Sequence, residues 1–408
     1  MKQPLPGAPH LTYCTNIHAG ETWPEVRQNL ERYVVAVKQR VAPNEPFGVG
    51  LRLSAVAAEA LAAPGELEAF RAFLSAHGLY VFTINGFPYG PFHGTRVKDD
   101  VYLPDWLDPL RVTYSDRLAG LLAELLPAGV EGSVSTVPGA FKARVGGAAD
   151  VARMADLMLQ HVATLHRIRE RTGREIALAP EPEPFCHLET IAETVAFFEG
   201  HLFSAAAVTR FAGLSGLPRP EAEAWLRQTL GVCFDACHMA VEFEDPAAAL
   251  ATLARAGIRV AKIQISAGLR VPFGGGDDRA RLEALRPFAE GVYLHQVTER
   301  RGDQLTRYLD LPEALAKGAP GETVAGDAGH REWRIHFHVP LFLERLGLFL
   351  NTQDYLREVL AIVRRTAVTP HLEVETYTWD VLPEEYRRED IVTAVARELD
   401  WVRGHLRA

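Results

Sequence analysis

Apolar and polar positions along the chain fall into two rhythms that take turns. Short apolar or alternating runs stand at "LTYCTNIH" (11–18), "FGVGLRLS" (47–54), "LYVFTING" (79–86), "GSVSTVP" (132–138), "EIALAPE" (175–181), "GVCFDAC" (231–237), "RVAKIQIS" (259–266) and "PHLEVETY" (370–377). Their length and their Gly, Pro and polar boundaries predict strands. Between most of them apolar residues recur at helical spacing, as in "WPEVRQNLERYVVAVKQRV", "PGELEAFRAFLSAHG", "DRLAGLLAELLPAG", "DVARMADLMLQHVATLHRIRERTG" and "DPAAALATLARAG". Strand alternating with helix predicts a parallel sheet covered by helices. Eight such strands predict an α/β fold of the (β/α)8 TIM barrel type.

Side chains alternate along a strand, so one parity faces the helices and the other the barrel interior. Val49, Leu51 and Leu53 oppose Arg52 and Ser54; Tyr80, Phe82 and Ile84 oppose Thr83 and Asn85; Ile176 and Leu178 oppose Ala177, Ala179, Glu181 and Glu183. Val232 and Phe234 oppose Cys233 and Asp235; Ile263 and Ile265 oppose Lys262, Gln264 and Ser266; Leu372 and Val374 oppose Glu373 and Glu375. Polar groups therefore gather on the inner parity near the C-terminal strand ends, where barrel active sites are assembled. A flat doubly wound sheet would not ask so many strands to contribute.

Two insertions interrupt the rhythm, one after strand five and one between strands seven and eight. Residues 185–230 hold more helix than one crossover needs, with "GLPRPEAEAWLRQTLG" as an extra helix. In the longer excursion, about 268–345, "GVYLHQVTER" and "QLTRYLDL" flank "RGD" as a hairpin, and "EWRIHFHVPLF" reads as a strand with His336 and His338 on one face. The expectation is one domain over 1–408 with a lid or wall over the barrel mouth.

Composition narrows the function. With 408 residues, 48% of them hydrophobic and 23% charged, the chain can bury a large core. A net charge of -9 offers no general field for a polyphosphate backbone, which argues against nucleic acid. Four irregularly spaced cysteines, Cys14, Cys186, Cys233 and Cys237, form no disulfide framework and read as reduced thiols. The N-terminal "MKQPLPGAPHLTYCTN" has prolines where a signal peptide needs an apolar stretch, and no run approaches a membrane span. A cytoplasmic location is the simplest expectation; the oligomeric state stays open.

The sharpest local motif is "FDACHM". An Asp closing an apolar strand with a His three residues on sets Asp235 and His238 over one opening, although a helix cap with a neighbouring His reads the same way. Glu181 or Glu183 precedes it and Glu373 or Glu375 follows. Buried carboxylates need a cation or donors, so three acidic strand ends around one mouth favour a divalent ion, and oxygen-rich ligation suits Mn or Mg over structural Zn. The alternative is an internal network with Arg52 and Lys262. Softer candidates are His18 and Asn16 at the end of strand one, Asn85 at the end of strand three, the aromatic loop "NGFPYGPFHG" for stacking on a polyol, and His295, His336 and His338, with His338 best placed to reach the mouth. "FGGGDD" (273–278) lacks the residues of a phosphate loop and reads as a turn. Cys233 and Cys237 have no second pair for a zinc knuckle, and no Ser or Cys sits in a nucleophile elbow.

A Glu-bearing strand, then D-x-x-H, then a polar strand-seven residue, then Glu on strand eight resembles the xylose isomerase-like barrel superfamily of sugar isomerases, sugar epimerases and the endonuclease IV class. More closely, "LTYCTNIHAGETW", "APEPEP", "FDACHM" and "HLEVETYTWDVLP" resemble the bacterial metabolite traffic protein EboE family. The resemblance implies Glu181, Asp235, Gln264 and Glu375 as ligands of a divalent metal, Mn or Mg first and Zn as an alternative. Gln264 stands where the epimerases usually carry a His, so the fourth ligand is neutral. Glu181 and Glu375 would exchange a proton on opposite faces of a carbon beside a carbonyl, with His238 orienting substrate or handling protons. His18, Arg52, Asn85, Glu183 and His338 would bind substrate.

The resulting expectation is a metal-dependent isomerase or epimerase of a sugar-, polyol- or cyclitol-like metabolite in an Ebo-type pathway. A non-catalytic metabolite carrier on the same barrel is the second reading. A phosphodiesterase of the endonuclease IV type is the third, and the acidic balance and scarcity of strand-end His count against it. Glu181 and Glu183 share the inner parity about 6 to 7 Å apart along an extended chain; Glu181 is expected on the metal and Glu183 farther out.

Overall fold

A computed structural model describes residues 1–274, 277–317 and 331–407. Strands β1 (His10–Tyr13), β2 (Phe47–Arg52), β3 (Leu79–Asn85), β4 (Gly132–Thr136), β5 (Ile176–Pro180), β6 (Gly231–Asp235) and β7 (Arg259–Ile265) come first in the chain. An inserted group follows: β8 (Gly268–Pro272), β9 (Val297–Arg301), β10 (Gln304–Tyr308), β11 (Arg331–His338), β12 (Arg345–Leu346) and β13 (Phe349–Asn351). Strand β14 (His371–Val374) then returns to the barrel.

All eight predicted barrel strands form, and all their pairings are parallel. One arc runs β2-β3-β4-β5 and the other β1-β14-β7-β6. The parallel bridges Cys14–Gly50 and Leu178–Leu230 join the arcs at both seams, so the order around the ring is the order along the chain, with β14 in eighth place. The helices cover the outside because their apolar stripes match it. In the helix Ala148–Thr172, Leu157, Val162, Leu165 and Ile168 are buried, and Gly173, at φ 68°, ends it in a left-handed turn. After β5, "TIAE" starts a helix with reciprocal caps: Glu193 N–H donates to Thr190 Oγ1 at 3.2 Å and Thr190 N–H to Glu193 Oε2 at 3.1 Å. The extra helix expected from "GLPRPEAEAWLRQTLG" is Arg219–Thr229.

Strict alternation fails on β3. The register against β2 slips between Val49–Val81 and Gly50–Thr83, and a bulge of this kind lets neighbouring residues face one side. Phe82, expected outside with Tyr80 and Ile84, instead packs on His371 with ring centroids 4.8 Å apart. Thr83 bonds Ser133 Oγ at 2.8 Å, and Ser133 bonds His371 Nδ1 at 2.8 Å. The lumen therefore has an aromatic floor. Above it Lys262 and Glu373, both fully buried, form an ion pair. Gly50 admits that pair: a Cβ there would lie 1.7 Å from Glu373 Oε1 and 2.7 Å from Tyr13 O.

The long insertion is a six-stranded antiparallel sheet in the order β10-β9-β11-β8-β13-β12. The expected hairpin is β9–β10, with Arg301 opposite Gln304 and Gly302 at φ 56° in the turn. The "EWRIHFH" strand is β11, paired to β9 and β8. Of the "FGGGDD" turn, residues 275–276 lie outside the described residues. No single helix among the described residues is long and apolar enough to cross a membrane.

Candidate functional site

The site is built around Asp235, the last residue of β6. Its Oδ1 caps the following helix, accepting His238 N–H at 2.9 Å and the Ser266 hydroxyl at 2.8 Å. Its Oδ2 is buried and has no hydrogen-bond partner. The D-x-x-H motif thus contains the helix cap, with one oxygen of Asp235 committed to it and the other bare.

Glu181 and Glu375 each stand one residue past a strand, and their backbone N–H groups extend the ladder to Thr136 O at 3.0 Å and Ile265 O at 3.1 Å. Glu375 Oε1 accepts three side-chain amides, from Asn16 at 2.8 Å, Asn85 at 3.0 Å and Gln264 at 3.1 Å. Three donors fix this carboxylate in place. Gln264 Oε1, buried and without a partner, is left over. Glu181 faces the cavity. Burial, then the charges of Glu375 and Asp235, hold the Glu181 carboxyl well above the usual carboxylate range. Glu375 is raised in the same way, by burial and then by Asp235 and Glu373. Lys262 cannot relieve them fully, being engaged with Glu373.

Three buried imidazoles border the carboxylates. His238 Nδ1 lies 3.0 Å from Pro182 O, His338 Nδ1 2.9 Å from Glu375 O, and His336 Nδ1 2.7 Å from Gln296 Oε1. The Gln296 amide nitrogen donates to Tyr102 Oη at 2.9 Å and Pro184 O at 3.2 Å, so its oxygen faces His336. A carbonyl oxygen only accepts, which puts the proton of each neutral ring on Nδ1. His338 Nε2 has no partner and lies 4.0 Å from Asp235 Oδ2; the Nε2 atoms of His238 and His336 face each other at 3.0 Å. Burial lowers the His338 pKa to about 4 and takes His336 well below its usual value, which keeps both rings neutral.

Above these groups is a cavity walled by Phe87, Phe92, Tyr102, Tyr293 and Tyr377. The cavity has a volume of about 60 Å³. Glu183 borders it, accepting the Tyr102 hydroxyl at 2.8 Å and standing 3.5 Å from His336 Nδ1. Burial raises the Glu183 pKa. Glu183 therefore sits on the cavity wall and Glu181 next to Asp235 and His238.

Of the residues proposed from sequence, Glu181, Glu183, His238, Glu375 and Asn85 line the cavity. Asp235, Gln264 and His338 lie in the polar layer against it. Two do not join them. Strand β1 stops at Tyr13 and a 3-10 turn, Thr15–Ile17, follows, carrying His18 away to bond Tyr13 Oη at 3.0 Å and stack on Tyr33 at 4.4 Å. Arg52 is a clamp between loops, donating to Gly20 O at 3.0 Å, Glu21 Oε2 at 2.8 Å and Gly90 O at 2.7 Å. Both are buried in these contacts and neither lines the cavity, although His18 Nδ1 and Arg52 Nε have no hydrogen-bond partner. The sequence places His336 only among the softer candidates, behind His338, and offers no sign of Tyr102, Gln296 and Tyr377. The period-two "HFH" of β11 is the signal for His336; Tyr102 and Tyr377 stand in short 3-10 turns and Gln296 just before β9, where spacing carries no information about direction.

Glu181, Asp235 and His238 form one group able to hold a metal, and His238, His336 and His338 form another, with ligand atoms in each group within 4.8 Å of one another. The bare Asp235 Oδ2, Gln264 Oε1 and His338 Nε2 are acceptors facing no donor, the arrangement a cation resolves.

No protein-family model matches the chain, and no curated protein matches it. Among solved structures, it is similar to the IOLI protein with a binding zinc atom, at 12% identity and a TM-score of 0.45 over 97% of both chains. It is also similar to a xylose isomerase-like TIM barrel protein from Mycobacterium smegmatis in complex with magnesium, at 12% identity and TM-score 0.47, over 99% of this chain and 97% of that one. A third, a xylose isomerase domain protein from Planctomyces limnophilus, shows 15% identity and TM-score 0.46 over 98% of each chain.

Proposed function

We propose that this chain is a metal-dependent isomerase or epimerase of a small sugar-, polyol- or cyclitol-like hydroxycarbonyl compound. The observation that carries the reading is a pair of buried carboxylates at one cavity, Glu181 after β5 and Glu375 after β14, flanking bare acceptors suited to a cation. Asp235 and Glu181, with Gln264 Oε1 and the open oxygen of Glu375, would hold a divalent ion. When bound, the ion would polarise the substrate carbonyl and acidify the adjacent C–H.

The chain's own groups supply the rest. One carboxylate removes the proton from the carbon beside the carbonyl; the C–H pair becomes the π bond of an enediolate, and the proton resides on the carboxylate oxygen. The other carboxyl returns a proton to the opposite face, inverting the centre with no net oxidation. Asn16, Asn85 and Gln264 fix the aim of Glu375, while Glu181 is left to move. The aromatic wall suits the apolar face of a polyol and excludes water. Placement within an Ebo-type secondary-metabolite pathway is supported by "APEPEP", "FDACHM" and "HLEVETYTWDVLP" alone. Four buried free cysteines suit a reducing, cytoplasmic setting.

The test is proton exchange. Incubated in D₂O with divalent metal and a panel of ketoses and inososes, the protein should place deuterium on one carbon beside the carbonyl, read by NMR. Glu181→Gln and Glu375→Gln should each lower exchange by at least about 100-fold. Absence of exchange across the panel, with a co-purified metabolite returned unchanged, would instead favour a carrier. That second reading has its own support in Gln264, whose amide nitrogen is turned to Glu375.

A further inference from the structure

The imidazoles contributed by the inserted sheet are unused in the reading above, and their geometry is specific. His238, His336 and His338 come from two places, the helix after β6 and strand β11. Each has its Nδ1 engaged by a carbonyl oxygen, Pro182 O, Gln296 Oε1 and Glu375 O. Each therefore presents an Nε2 lone pair inward. Two of these lone pairs meet at 3.0 Å, with only the Tyr377 hydroxyl, 3.4 Å from His336 Nε2, beside them, and the third has no partner and lies 4.0 Å from the bare Asp235 Oδ2. Acceptors turned on one another repel unless something positive sits among them. Nδ1–H held by a carbonyl with Nε2 free is the arrangement that orients a metal-binding imidazole.

We propose that β11 completes a nitrogen-rich metal centre at the barrel mouth, in which the Nε2 atoms of His238, His336 and His338, with Asp235 Oδ2, hold one ion of the zinc, cobalt or iron(II) class. The proposal rests on the metal-dependent reading above and changes its donor set. Four ligands at about 2.0 to 2.1 Å around a tetrahedral ion stand about 3.4 Å from one another. The observed spacings of 3.0 Å between two of the imidazoles and 4.0 Å between the third and Asp235 Oδ2 bracket that value, and the three imidazoles offer ligand atoms within 4.8 Å of one another. Imidazole donors select against Mg and Mn, which suit carboxylate, carbonyl and water ligands. Glu181 and Glu375 are then released from ligation for proton transfer. The β7 position needs no imidazole, because the two on β11, at alternate positions of one strand, enter from above.

The experiment uses the full chain, stripped by chelator and dialysed. Cobalt(II) should bind one equivalent with an intense visible d–d band of a four-coordinate site, and zinc should displace it. X-ray absorption at the zinc edge of the wild-type protein should show a nitrogen-rich shell with imidazole scattering. His336→Gln and His338→Gln, with melting confirming the fold, should each weaken zinc binding by at least about tenfold and move the cobalt band. Gln264→Ala should leave the band in place. An all-oxygen shell, absence of the cobalt band, or a band unchanged in both His variants overturns the proposal. If deuterium exchange persists with Mn or Mg in the His336→Gln, His338→Gln double variant, this donor set fails and the isomerase reading stands. If the cobalt site forms as described but no substrate exchanges, the reverse holds.

Discussion

At the residue scale, each inner-facing polar group has a definite partner except those at the mouth. Glu373 and Glu375 lie two apart on the same parity, yet one is neutralised by Lys262 and the other held by three amides. This divides the sequence's two explanations for the acidic strand ends between two layers of the barrel, the internal ion pair below and the candidate centre above. Removing one partner of a buried pair leaves an uncompensated charge. Glu373→Ala is expected to destabilise by about 3 to 5 kcal/mol, whereas Lys262→Met combined with Glu373→Leu should recover most of that, as read by urea melts of both variants. Gly50→Ala should cost about 1 to 3 kcal/mol, since its Cβ would occupy the place of Glu373 Oε1.

At the scale of elements, β11 shows how far a pattern reaches. Its alternation put His336 and His338 on one face from sequence alone; that this face meets Asp235 depended on β11 pairing with β8 and β9. The C-terminal helix Ile391–Arg407 ties the insertion to the barrel through Glu398 Oε1, which accepts Leu341 N–H at 3.1 Å and the Thr376 hydroxyl at 2.8 Å. Burial raises Glu398 to about 7. Its unfolded value lies near 4.3, so the folded state binds the extra proton between the two. The associated stability is present below about pH 4 and is lost as pH rises through 7, a total of about 3 to 4 kcal/mol. Glu398→Gln keeps an acceptor and cannot ionise. Its denaturation free energy should fall less steeply than wild type between pH 5 and 7; parallel slopes would contradict this.

For the whole molecule, the barrel gathers the carboxylates and the inserted sheet brings imidazoles to them. Metal-free protein should then lose stability as pH rises, since Glu181 and Glu375 keep protons in the fold that the unfolded chain has released. A cation held beside them favours their ionised forms and draws those protons off. The increase in Tm on adding zinc to stripped protein should accordingly be larger at pH 8 than at pH 6, and a shift independent of pH would argue that the ion binds away from these carboxylates.

The sequence by itself determined the eight-strand rhythm, the acidic strand ends and the D-x-x-H corner, because local periodicity and strand-end position need no knowledge of neighbours. It placed Glu181, Asp235 and Glu375 together since a barrel brings every strand end to one mouth. Only the tertiary structure decided the rest. Whether Arg52 and His18 face substrate or a loop depended on where β1 stopped and which carbonyls came near. Which oxygen of Asp235 stayed bare, and which nitrogens of three imidazoles turned inward, depended on hydrogen-bond partners up to 56 residues away, which no local pattern records.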